Sequence, residues 1–164
     1  MYFILGALYC VAYAFFVLAI PFCITDTVGS VKDIRPVSLV TIAVLCLVTF
    51  GISFVIPNDF WANRWLHAVG GGMTGFILYW LAVRDSHTSL NTTQFFVLGF
   101  LLVTALGVAN ELMEMILQLA HIEIAAATVT DTWFDLASNT VGATLTGLVV
   151  SYKVGPCNNR TLKP

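Results

Sequence analysis

Phe95-Phe-Val-Leu-Gly-Phe-Leu-Leu-Val103, followed after Thr-Ala-Leu by Gly107-Val-Ala-Asn-Glu111-Leu-Met-Glu114-Met-Ile-Leu-Gln118-Leu119, is the stretch that decides the fold. It opens on nine residues without a polar side chain and stays apolar to its end apart from a few positions. A helix needs about 20 such residues to cross a hydrocarbon core about 30 Å thick. The exceptions are ordered. Glu111, Glu114 and Gln118 are spaced i, i+3, i+7, and Gly107 lies one turn earlier, so all four share one helical face. Carboxyl groups at this depth cost about 2.5–3.5 kcal/mol each on insertion scales. Two on one face repel if both are ionised, so they share a proton or hold a cation between them.

The rest of the chain has the same character. Of 164 residues, 59% are hydrophobic and 10% charged, against about 25% charged in an ordinary soluble domain. Sixteen charged residues cannot clothe a water-facing surface of this size. That excludes a soluble enzyme and a disordered segment. The net charge of −2, with no basic patch, excludes a nucleic-acid partner. The expected fold is all-α, a polytopic transmembrane bundle in a single domain over residues 1–164. Five spans are predicted, at about 2–23, 37–56, 65–83, 95–119 and 133–152. The first is expected to be a retained helix rather than a signal peptide. Nothing basic follows Met1, and the apolar run outlasts an h-region. Cys10, Cys23, Cys46 and Cys157 form no CxxC pair and read as small buried hydrophobes.

Five spans put the termini on opposite sides. Lys32, Arg35, Arg84, Lys153, Arg160 and Lys163, six of the seven basic residues, fall on one side, and Arg64 falls on the other. The positive-inside rule makes the first side cytoplasmic. The expectation is a multi-pass protein of the inner (plasma) membrane, N-terminus outside and C-terminus in the cytoplasm. The patterns Asn91-Thr-Thr and Asn159-Arg-Thr are then cytoplasmic and read as chance matches to a glycosylation acceptor.

Two further stripes accompany the acidic one. Asp131, Asp135 and Asn139 repeat at i, i+4, i+8 and run on to Gly142. Asn63, His67, Gly71 and Gly75 repeat at i+4, the two glycines forming a GxxxG pair that lets helices approach closely. Asp131 or Thr130 is expected to cap the last helix, whereas Asp135 lies one turn too deep for that role. On the predicted topology His67, Glu111, Glu114, Asp131 and Asp135 converge on one layer near the extracytoplasmic face. Such a hard, oxygen-rich set suits a divalent cation, Mg²⁺ or Mn²⁺ before structural zinc, with Glu111, Glu114, Asp131 and Asp135 as its ligands. In a reaction, His67, Glu111, Glu114 and Asp135 are the candidate catalytic groups. Arg64 and Asn139 are the candidate substrate contacts, because a guanidinium holds an anion well. The bland reading of the same residues is hydrogen bonding between helices, with His67 beside Trp65 as an interfacial side chain.

The run Asp131-Thr-Trp-Phe-Asp135-Leu-Ala-Ser-Asn139-Thr-Val-Gly142-Ala-Thr-Leu-Thr-Gly147 resembles the C-terminal hallmark of VanZ-like membrane proteins, with His67 and Glu111 at positions matching that family's earlier spans. The pair Glu111-x-x-Glu114 departs from the Glu-x-x-Gln form of VanZ and looks closer to YjdF-like inner-membrane proteins. The resemblance covers roughly residues 60–150. It implies a protein of the cell envelope, and the converging stripes lead to the expectation that it binds or processes an anionic lipid or lipid-linked precursor. The alternative is a non-catalytic accessory subunit of a larger membrane complex, knitted together by the same stripes. An ion pathway is disfavoured, because no charged residue occupies the inner halves of the last three spans.

Overall fold

The computed structural model describes residues 2–121 and 128–158, and every regular element among them is helical. The helices are α1 (Tyr2–Thr25), α2 (Pro36–Ser53), α3 (Asp59–Trp65), α4 (Thr74–Asp85), α5 (Thr92–Leu119) and α6 (Val129–Asn158), with a 3₁₀ turn at Val31–Asp33. A π-helical segment, Leu66–Met73, joins α3 to α4 without a break. Arg160, Lys163 and the Asn159-Arg-Thr pattern lie outside the described residues, as do the side chains of Lys153 and Cys157.

Local chemistry sets the helix starts. Pro36 occupies the first turn of α2, where its missing N–H costs nothing. Asn58 caps α3 by accepting from the Trp61 N–H, and Asn91 with Gln94 forms a reciprocal capping box on α5. At the far end of α4, His87 takes a positive φ, and the Thr88 N–H bonds back to the Val83 carbonyl, which stops the helix.

Helix boundaries correct the expected spans at two places that matter. The third rod starts at Asp59 rather than Trp65, so Asn63 and Arg64 are helical and face inward. Helix α6 starts at Val129, and its cap is Thr128, whose side chain accepts from the Asp131 N–H. Neither Thr130 nor Asp131 caps it, because both already lie in the first turn.

Four helical stretches are long and apolar enough to cross a membrane: Gly6–Thr25, Pro36–Ser53, Asp59–Asp85 and Thr92–Leu119. Helix α6, at 30 residues, has the length. Its first half, with Thr130, Asp131, Thr132, Asp135, Ser138 and Asn139, keeps it below the same apolarity.

The Asp59–Asp85 rod is the central element and the most buried of the four. One side of α4 packs with α1 and α2 through Tyr13, Phe16, Val17, Ile42, Cys46, Leu78, Leu81 and Ala82. Its other side packs with α5 and α6 through Phe76, Tyr79, Phe95, Val103 and Ala143. Large apolar side chains cover the outside, among them Val11, Phe15, Leu47, Leu101, Leu145 and Leu148. Such a surface is foreign to a soluble monomer and suits lipid contact. Cys46 is buried as expected, but Cys10 is half-buried and Cys23 exposed, because α1 turns those faces away from its neighbours. All three are free.

Candidate functional site

The π segment contains Gly70-Gly71-Gly72, and α6 lies directly against it. A Cβ on Gly72 would stand 2.3 Å from the Asn139 carbonyl oxygen, and one on Gly142 would stand 1.9 Å from the Ala68 carbonyl oxygen. Only glycine allows backbones this close. The expected Gly71–Gly75 face does not hold as one surface. Gly71 meets the Asn139 side chain on α6, whereas Gly75 meets Val103 on α5. The wider π turn rotates the residues after it, and π turns recur at functional sites. The tight contact is therefore made by Gly72 and Gly142.

This crossing brings the three stripes together. Arg64, 7% exposed, reaches from α3 to both aspartates of α6. Its Nη2 lies 2.9 Å from Asp135 Oδ1 and also bonds Asp131 Oδ1, while Nη1 donates to the Asp131 carbonyl at 3.2 Å. The rings of Phe60 and Phe134 flank the guanidinium at 5.0 and 5.6 Å. Asn63 Nδ2 donates to Asp135 Oδ1 at 3.1 Å. His67 Nε2 lies 3.2 Å from the same oxygen. The other imidazole nitrogen, Nδ1, has Glu111 Oε1 of α5 at 3.8 Å and Asn139 Nδ2 of α6 at 3.4 Å.

The layer thus has two halves. On the α3–α6 side, Asp131 and Asp135 are engaged by Arg64, and Asp135 also by Asn63 and His67. On the α5 side, ligand atoms of His67, Glu111 and Glu114 all lie within 4.8 Å of one another. Glu114 also accepts from Asn110 Nδ2 at 2.7 Å. Glu111 is 7% exposed, and neither of its carboxylate oxygens has a hydrogen-bond partner among the described residues. The same is true of Asn139 Oδ1 and Arg64 Nε. Two clefts flank the start of α6. One of about 430 Å³ is lined by Asp59, Phe60, Asn63, Thr128, Thr130, Asp131 and Phe134. The other, of about 480 Å³, runs between α5 and α6 and reaches Glu111, Gln118, Thr132 and Trp133.

Every site residue expected from the sequence falls in this layer: Arg64, His67, Glu111, Glu114, Asp131, Asp135 and Asn139. Sequence reasoning missed a second polar layer at the other end of the rod. Asp85, fully buried, accepts from Tyr13 Oη at 2.7 Å, from Ser38 Oγ, and from Arg84 Nε at 2.7 Å, with Arg35 Nε at 3.4 Å. Arg84 also donates to Ser38 Oγ at 2.9 Å, and the Tyr13 hydroxyl accepts the Arg35 N–H at 3.1 Å. This layer is fully paired and reads as a structural clasp of α1, α2 and α4. Arg84-Asp85 looks like an ordinary stop signal in sequence, and nothing in its spacing marks the aspartate as interior.

No curated protein and no solved structure matches this chain. A family does: residues 4–154 match the one described as "Predicted membrane protein (DUF2238)", and the chain belongs to that family of membrane proteins.

Proposed function

We propose that the chain is a five-span protein of the cell envelope, VanZ-like in its last three spans, that holds the anionic head of a lipid or lipid-linked precursor in the layer around Arg64 and His67. The length of α6 supports the fifth crossing. The basic residues Lys32, Arg35 and Arg84 lie toward the Asp85 end, which the positive-inside rule makes cytoplasmic in an inner membrane. The Arg64 layer then faces outward, the N-terminus lies outside and the C-terminus inside.

The observation that carries this reading is that four of the six buried side-chain polar atoms without a hydrogen-bond partner among the described residues gather in this layer: both Glu111 oxygens, Asn139 Oδ1 and Arg64 Nε. Polar groups that only knit helices together are paired, and an unsatisfied buried group costs about 1–3 kcal/mol. The Asp85 layer shows what a paired knot looks like in this same molecule. In the ligand-holding role Arg64 and Asn139 contact the headgroup, while His67, Glu111, Glu114 and Asp135 form the reactive wall. The flanking clefts, at about 430 and 480 Å³, fall in the size range of small-molecule sites.

Native mass spectrometry of the protein released from mild detergent tests this. Wild type should retain an anionic lipid. Arg64→Lys keeps the charge but loses the planar fork, and should retain several-fold less while its helical circular dichroism is unchanged. Equal lipid retention in both proteins would overturn the proposal.

A further inference from the structure

The layer holds four carboxyl groups, Glu111, Glu114, Asp131 and Asp135, against one guanidinium. Arg64 answers the two on α6. Glu111, on α5, faces the His67 imidazole, with Oε1 3.8 Å from Nδ1. We propose that His67 Nδ1, Glu111 and Glu114 bind one divalent cation of the Mn²⁺ type. The inference rests on reading this layer as a ligand site.

Three observations support it. The first is geometric. Metal–oxygen bonds of about 2.0–2.6 Å place opposite ligands about 4–5 Å apart, and the three ligand atoms here lie within 4.8 Å of one another. The second is the Glu111 carboxylate, more than nine-tenths buried, facing His67 and without a hydrogen-bond partner among the described residues on either oxygen. A buried carboxylate keeps its charge only when paired or coordinated. The third is the orientation of His67. Its Nε2 sits 3.2 Å from Asp135 Oδ1, while Nδ1 has Glu111 Oε1 at 3.8 Å and Asn139 Nδ2 at 3.4 Å. A carboxylate behind an imidazole is the usual partner of a histidine metal ligand, because it fixes the tautomer and raises basicity. Arg64 and Asn63 hold that carboxylate in turn.

The donor set also narrows the ion. An imidazole nitrogen with two carboxylates suits Mn²⁺ better than Mg²⁺, which favours an all-oxygen shell with several waters. Turning the Asn139 amide by half a rotation would exchange Nδ2 for Oδ1, which has no partner, and offer a further oxygen toward His67. The α5–α6 cleft reaches Glu111 and supplies a path for the ion.

Binding of Mn²⁺ alone, followed by its electron paramagnetic resonance signal, tests the assignment on the full chain in nanodiscs of zwitterionic lipid. Wild type should take up one Mn²⁺ per chain saturably. Glu111→Gln and Glu114→Gln should each bind about 100-fold more weakly or worse, and Asp135→Asn, a positioning variant, about 10–100-fold more weakly. Absence of saturable binding in wild type, or wild-type affinity in both glutamine variants, would overturn it. Should Glu111→Gln not be recovered folded, the half-buried Glu114 decides through its own variant. With no anionic lipid in the disc, saturable binding upholds the cation site whatever lipid the protein retains on purification.

Discussion

Asp135 and Asp85 are single aspartates in one rod-and-bundle, 3% and 0% exposed, yet their neighbours differ in kind. Asp85 has each of its contacts answered by a donor: Tyr13 on α1, Ser38 on α2, its neighbour Arg84 on α4, and Arg35 in the loop before α2. Removing it leaves two arginines and two hydroxyls arranged around nothing. We predict that Asp85→Leu lowers stability by on the order of 3 kcal/mol, the cost of breaking a buried pair discounted because Arg35 and Arg84 stay half-solvated. Unfolding in detergent micelles measures it, with Arg64-layer ligand binding at the remaining folded fraction unchanged. The sequence marked Asp135 as interior, because a helical stripe placed it a full turn inside a span. It marked Asp85 as a boundary, because a charge next to Arg84 at a span's end is ordinarily solvated. Burial of Asp85 comes from α1 and the loop before α2, and no periodicity within its own helix reports on them.

At the scale of elements, the π segment and α6 set the site. Their contact is backbone against backbone at Gly142 and Ala68, but backbone against side chain at Gly71 and Asn139. The two glycines therefore respond differently to a methyl group. In Gly142→Ala the carbonyl of Ala68 cannot move without separating the helices, which costs about 1–3 kcal/mol or more, as for overpacked cores. In Gly71→Ala the Asn139 amide can rotate away, so the loss should be smaller, and the site should change instead through Asn139 and His67. Thermal unfolding of the two variants checks the order; Gly71→Ala as damaging as Gly142→Ala would contradict it. Helix existence was legible from apolar length, and so were the stripes that line the site. The π turn was not, because a 3.6-residue period was assumed through Gly71 and Gly75. The start of α6 was not, because Thr128 lay outside the expected span.

For the molecule as a whole, five crossings separate the termini and four would leave them on one side. We predict that a fluorescent protein fused after Pro164 folds and fluoresces, as it does in the cytoplasm, and that alkaline phosphatase at the same point is inactive. The reverse pattern would argue against the fifth crossing or the orientation. What the sequence by itself determined was the class of environment, the all-helical architecture and which polar residues gather in the Arg64 layer. Those follow from one-dimensional quantities: how long an apolar run lasts, and at what period a polar residue interrupts it. The tertiary structure decided which carboxylates are answered and which are not. Arg64 takes Asp131 and Asp135, His67 turns one nitrogen to Asp135 and the other to Glu111, and Glu111 is left buried without a hydrogen-bond partner among the described residues. Pairing depends on distances of a few ångströms between residues up to 72 positions apart, set by how closely glycine lets two backbones approach, and no stripe on a single helix contains that information.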